Sequence, residues 1–328
     1  MLDGVRKRLG DKVEVSYAEG VRISEPDHDP VANKLVPYEA PSAEKNAALI
    51  AQAVETARKA DIVILVLGDN ETVTREAFGA FDGRKASLGD TDELELPGRQ
   101  NELVREVTKL GKPTVAVLLN GRPYSIVQLS QLAPAIVQGW YLGQETGNAL
   151  AGVLFGDVNP SGKLPVSIAR NVGQLPVFYS KTPQARLGYV FNDNSPLYPF
   201  GCGLSYTRFT YGKPVLDKTA IARGGAAKVS VAVTNSGPRP GDEIVQMYVH
   251  PKVSTVVQPV LRLAGFDRVH LVSGETKTVS FAVGPEQLAI WDRQMKRVVE
   301  PGGVDVYVGP NSQTLESVSL TVTEGTKK

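Results

Sequence analysis

Two hydrophobic rhythms divide the sequence, and no single layer of secondary structure accommodates both. From residue 42 to about 170, apolar residues recur at helical spacing, broken by short continuous apolar runs. After residue 213 strict alternation takes over: Val229, Val231, Val233; Val245, Met247, Val249; Val279, Phe281, Val283; Val304, Val306, Val308; Val318, Leu320, Val322. The first rhythm puts side chains on one stripe of a helix, the second on one face of a strand. The chain is therefore expected to be a helix–strand region, 1–213, followed by an all-β region, 214–328.

Within the first region Ser42 is positioned to cap a helix carrying Ala47, Ile50, Ala53, Val54 and Ala57, with Glu44 against the helix dipole. The apolar run at 62–67 predicts a buried strand, residues 99–110 a helix stopped by Gly111 and Pro113, and Thr114–Leu119 a second strand. A short helix near 125–130, a strand Ala135–Trp140 and a helix Gln144–Phe155 follow. The N-terminus reads as the end of an amphipathic helix running into a strand, Val13–Tyr17, which suggests a chain cut from a longer polypeptide. Such alternation predicts a mostly parallel sheet covered by helices, an α/β sandwich. In the second region, turn signals at Asn235-Ser236-Gly237, Ser273-Gly274 and Pro301-Gly302-Gly303 separate about seven short strands, the count of an immunoglobulin-like sandwich. Trp291 is expected to pack in that sandwich or at the join of the two domains.

The segment leaving the first strand, from Asp69 to Leu96, has no sustained period of either kind. A loop of this length inside a compact domain is uncommon and usually functional or disordered, and it leaves the carboxyl end of a strand, where open α/β sheets bind ligands. Its first half carries Asp69, Glu71, Glu76 and Asp82; Asp90, Asp92, Glu93 and Glu95 follow. A loop carboxyl is ordinarily a solvated group, and becomes a general acid when burial or a neighbouring anion raises its pKa. Aromatics at Trp140 and Tyr141, also at a strand end, either stack on a sugar or cap the core.

Other chemistries find little support. The 36 basic and 35 acidic residues nearly cancel, so electrostatics make no case for nucleic acid or an acidic membrane surface. No apolar run is long enough to span a membrane, and MLDGVRKRLG contains no signal-peptide core. Cys202 is alone, and His28, His250 and His270 lack metal-ligand spacing, so no metal or other cofactor is expected. No glycine-rich phosphate loop follows any strand.

Several segments together resemble glycoside hydrolase family 3, of the bacterial β-glucosidase and β-xylosidase type: LGDNETVTREAF, LGDTDELELPGRQNELV, KPTVAVLLNGRPYSI, WYLGQETGNALAGVLFGDVNPSGKLPVSI and YPFGCGLSYTRF. GDEIVQMYV, PVLRLAGFDRV and WDRQMKRVVEPGGVDVYVG resemble that family's fibronectin type III-like domain. The resemblance implies a retaining exo-β-glycosidase acting on a β-linked glucoside or short oligosaccharide. It implies an aspartate nucleophile on an N-terminal barrel and a glutamate acid/base on the α/β-sandwich loop. The motif puts that acid/base at Glu76, with Glu71 the alternate, and implies sugar contacts at Arg75, Asp69 and Trp140. Thr91 after Gly89-Asp90, where many members carry Arg, and the extra stretch Phe78–Lys85 depart from the pattern and bear on sugar specificity. No barrel is seen in the sequence, so the expectation is a C-terminal portion whose barrel partner lies on the same or a separate chain, inactive when isolated. A homodimer and a periplasmic or secreted bacterial location complete it. The alternatives are a non-catalytic carbohydrate-binding or scaffolding module and a structural interaction protein.

Overall fold

The computed structural model describes residues 1–25, 40–70, 73–74, 91–183, 188–191 and 193–324. Packing divides the chain into two compact units, Met1–Asp157 with Ala169–Leu175, and Val158–Ile168 with Pro176–Lys328.

The first unit is built on a three-stranded parallel sheet in the order β1 (Val63–Gly68), β2 (Thr114–Leu119), β3 (Ala135–Gln138). Register runs from Val63 opposite Thr114 to Gly68 opposite Leu119, and from Val115 opposite Ala135 to Leu118 opposite Gln138. In β2 the consecutive residues Ala116, Val117 and Leu118 are all buried, which requires cover on both faces of the central strand. The helices are α1 (Leu2–Leu9), α2 (Ala43–Lys59), α3 (Gln100–Thr108), α4 (Val127–Leu132) and α5 (Thr146–Leu154). The Ser42 hydroxyl accepts the Lys45 amide at 3.1 Å and satisfies one of the unpaired donors that open α2. Helix α1 lies against α5 at a contact of glycines, where a Cβ on Gly4 would fall 2.2 Å from the Gly147 carbonyl. Arg8 then forks onto Asp157, its Nη2 donating to Oδ1 at 2.6 Å.

Two expectations for this unit need correction. Val13–Tyr17 is not a strand: it has no ladder partner among the described residues, and Val13 and Tyr17 are 51% and 63% exposed. Alternation alone does not make a strand; a neighbour's N–H and C=O groups must complete it. The third strand also stops at Gln138 rather than Trp140, because Trp140 turns to φ 54°, outside the extended region.

The second unit holds two main sheets. One runs β10 (Thr276–Val283), β7 (Ala227–Asn235), β4 (Phe209–Tyr211), with β5 (Val215–Leu216) also on β7. The other runs β6 (Ala220–Ala222), β14 (Glu316–Thr323), β13 (Gly302–Gly309), β8 (Gly241–Pro251), β9 (Arg262–Leu271). The alternating valines form the core between them: Val229, Val233, Val245, Val283 and Val306 have no exposed surface. The stretch before β4 belongs to this unit because it bonds to it. Lys181 accepts the Val260 amide at 2.9 Å, Phe200 accepts the Ser312 amide at 3.0 Å, and Tyr179 stacks on Phe200 at 4.2 Å. Trp291 does not pack as expected. It sits in the two-residue pairing of β11 (Ile290–Trp291) with β12 (Arg297–Val298) and is 60% exposed, while its neighbour Ile290 takes the buried place. In a strand, neighbours face opposite ways, so burying Ile290 turns Trp291 outward.

Candidate active site at the carboxyl edge of the sheet

β1, β2 and β3 run parallel and end at one edge, from which the long loop departs. Its two ends are tied by one buried side chain, Gln100 at the start of α3. Gln100 Oε1 accepts the Gly68 amide at 2.8 Å, and Nε2 donates to the carbonyls of Gly68 at 2.7 Å and Pro97 at 2.9 Å. Gly68 has φ 138°, and a Cβ there would lie 1.8 Å from the Leu119 carbonyl oxygen, so only glycine lets β1 and β2 close at this point.

Asp69, the next residue, is the centre of the edge. Its Oδ2 accepts the Tyr124 hydroxyl at 2.6 Å; Oδ1 accepts the Tyr141 hydroxyl at 2.5 Å and the Gly121 amide at 3.0 Å. Gly121 and Tyr124 follow β2, and Tyr141 follows β3, so one carboxylate joins the ends of all three strands. Burial, and then the hydrogen bond and charge of Asp69, push the Tyr124 hydroxyl far above the ordinary phenol range, which keeps it protonated and donating. Beneath this, Gln138 Nε2 donates to Asn120 Oδ1 at 2.9 Å, and Asn120 Nδ2 donates to the Arg122 carbonyl at 2.6 Å.

The outgoing limb of the loop is pinned as far as Thr74. The Val73 and Thr74 amides donate to the Asn70 carbonyl at 3.1 and 3.2 Å, and Arg122 Nη2 donates to the Val73 carbonyl at 3.2 Å. On the returning limb, Ser125 donates its amide to Leu94 at 2.6 Å and Leu96 is buried. Glu71, Arg75 and Glu76 lie outside the described residues. Of the five residues read from the sequence, Asp69 and Trp140 are described, and Asp69 faces protein donors. Trp140 is partly buried, and its φ of 54° is a backbone conformation that costs a bulky residue on the order of 1–3 kcal/mol. Among the described residues, no group of three or more His, Cys, Asp and Glu side chains could hold a metal ion. Gln100, Tyr124 and Gln138 are not among the candidates that the sequence offers, and Asn120-Gly121-Arg122-Pro123 reads from sequence only as a turn. The available signal was a polar or tyrosyl side chain within a few residues of a strand end.

Fold and edge define an α/β-sandwich protein with an anchored strand-end loop, followed in sequence by an immunoglobulin-like sandwich. The Glycosyl hydrolase family 3 C-terminal domain matches residues 1–206, and the Fibronectin type III-like domain matches residues 243–312. The chain belongs to glycoside hydrolase family 3. It is 42% identical to a β-xylosidase of Formosa agariphila, covering 98% of this chain and 41% of that protein. It is 38% identical to a periplasmic β-glucosidase of Salmonella typhimurium, over 98% of this chain and 42% of that one. The solved structure of a β-glucosidase from Erythrobacter marinus superimposes with a TM-score of 0.91 at 43% identity, over 98% of this chain and 42% of that one. The chain thus spans about two-fifths of the length of these relatives.

Proposed function

We propose that the chain is the C-terminal portion of a retaining exo-β-glycosidase, a β-glucosidase in first place, and that it supplies the general acid/base. In retaining hydrolysis two carboxyls flank the scissile bond about 5–5.5 Å apart; one attacks the anomeric carbon while the other protonates the leaving oxygen and then activates water. Glu76 is assigned the second role, with Glu71 as the alternate, and the nucleophile is assigned to a barrel domain outside these 328 residues. Arg75 and Trp140 are assigned to sugar contacts. The observation that carries the reading is the root of the loop: in a family 3 C-terminal domain, a long acidic segment leaves the carboxyl edge of the sheet, where open α/β sheets bind ligands, with its described limbs anchored. As sequence domains the division is proposed at 1–213 and 214–328, distinct from the packing units, and the substrate as a β-linked glucoside or short oligosaccharide. A periplasmic or secreted location is proposed, the periplasmic β-glucosidase of Salmonella typhimurium being its support, and a homodimer is proposed on the notion of a shared assembly alone.

The test compares leaving groups. In the enzyme assembled with its barrel domain, Glu76→Ala should slow substrates with basic leaving groups by roughly 10²–10⁴-fold, the usual worth of general acid catalysis, and activated aryl glycosides much less. Azide, a nucleophile that needs no base, should restore turnover of the activated substrate. If Glu71→Ala shows this pattern and Glu76→Ala does not, the assignment moves to Glu71. The 328-residue chain alone should not hydrolyse aryl β-glucosides at enzyme-like rates, and robust turnover by the purified chain overturns the division of labour.

A further inference from the structure

We propose that Asp69 is a positioning residue for the proton-donor loop, clamping the ends of β1, β2 and β3 through Tyr124, Tyr141 and Gly121. The inference rests on the acid/base reading above. The family resemblance implies a sugar contact at Asp69; the hydrogen bonds around it support a positioning part instead. Its two oxygens already collect three protein donors, the Tyr141 hydroxyl and Gly121 amide on Oδ1 and the Tyr124 hydroxyl on Oδ2. Those donors come from the turns after β2 and after β3, so the bonds cross the whole width of the sheet.

The clamp is coupled to the loop by short covalent and hydrogen-bonded steps. Asp69 precedes Asn70, whose carbonyl organises the turn through Val73 and Thr74, and whose Nδ2 donates to Ser24 at 3.2 Å. Gly121, which donates to Asp69, lies beneath both aromatic and loop. A Cβ there would meet Tyr141 Cε2 at 2.9 Å and Thr74 Cγ2 at 3.4 Å. Thr74 is two residues before Glu76 in sequence, the donor assigned above. The clamp's effect is to hold the root of the loop, at Asp69, Asn70, Val73 and Thr74, against the ends of β2 and β3.

The test uses the enzyme assembled with its barrel domain and reads a ratio rather than a rate. Asp69→Asn keeps the shape and Asp69→Ala removes the clamp. In both, kcat for a glycoside with a basic leaving group should fall more than kcat for an activated aryl glycoside, with KM little changed. For Asp69→Ala the separation should reach about 10²-fold, the cost of displacing a catalytic group by about 1 Å. Tyr124→Phe and Tyr141→Phe should each give part of it, and their double variant should approach Asp69→Ala. Partial unfolding lowers both substrates alike and leaves the ratio at one. Equal losses on both substrates, or a rise in KM alone, overturn the proposal and return Asp69 to a structural or substrate-contact role. Glu76→Ala is measured alongside. If it lacks leaving-group dependence while Asp69→Ala shows it, the Glu76 assignment fails and the clamp stands, acting on another donor.

Discussion

Lys163 and Glu243 offer the sharpest stability prediction. Lys163 lies in the segment Val158–Ile168, and Glu243 on β8 within the same unit. Nζ sits 3.1 Å from Oε2 and 3.3 Å from Oε1, and the Tyr211 hydroxyl donates to Oε1 at 2.7 Å. The two side chains are 12% and 5% exposed. A buried pair adds little net stability as a pair, because desolvation offsets the attraction, but breaking it strands a charge at a cost of about 3–5 kcal/mol. Lys163→Met keeps the side-chain length and removes the charge, leaving Glu243 with the Tyr211 hydroxyl. At about 2–4 °C per kcal/mol for a unit of this size, the calorimetric transition of the second unit should fall by roughly 6–20 °C. Removing the carboxylate as well would orphan the Tyr211 hydroxyl, which burial and then Glu243 hold above the ordinary phenol range. The matched control is therefore the triple variant Lys163→Met, Glu243→Leu, Tyr211→Phe, and it should recover most of the lost stability. A single-variant loss below about 1 kcal/mol, the value of a surface pair, would show that water reaches the pair and would refute the reasoning.

Two further predictions follow from the geometry. Gly68→Ala must push Leu119 away and hold an alanine at φ 138°, so it should cost at least about 3 kcal/mol, read as a lowered midpoint in urea; a wild-type midpoint would mean that β1 and β2 do not close there. Burial works to raise the Glu300 carboxyl, yet the Thr255 and Ser254 hydroxyls and the Thr255 amide outweigh it and hold the group below the ordinary carboxylate range. A depressed carboxyl stabilises the fold above its unfolded pKa, about 4.3, and loses that contribution as pH falls through the folded value. The urea-midpoint gap between wild type and Glu300→Gln should therefore be largest at pH 7 and shrink by pH 3. A gap that widens on acidification would contradict the assignment.

The two rhythms of the sequence were enough for the fold class, because hydrophobic period is a local property. The valines of β7, β8, β13 and β14 had to lie on one face whatever paired with them, and they form the core. Ser42 capped α2 for the same reason, since a cap needs only the next three residues. Thr114–Leu119 was legible to the residue because Gly111 and Pro113 bound it on one side and its apolar run is unbroken.

What the tertiary structure alone decided are relations between distant residues. Val13–Tyr17 carries a strand's pattern without a strand's neighbour, and Trp291 is exposed because Ile290 takes the inward side. Asp69 meets Tyr124 and Tyr141 across 55 and 72 residues, and Lys163 meets Glu243 across 80. The Asp69 contacts exist because strand order brings the turns after β2 and β3 to the end of β1, and strand order is set by crossovers and packing that no local period encodes. A loop at a strand end could be read from the sequence; the carboxylate that holds its root to the other two strands could not. The physical reason is that a hydrogen bond depends on where two groups meet, and only the folded sheet fixes that.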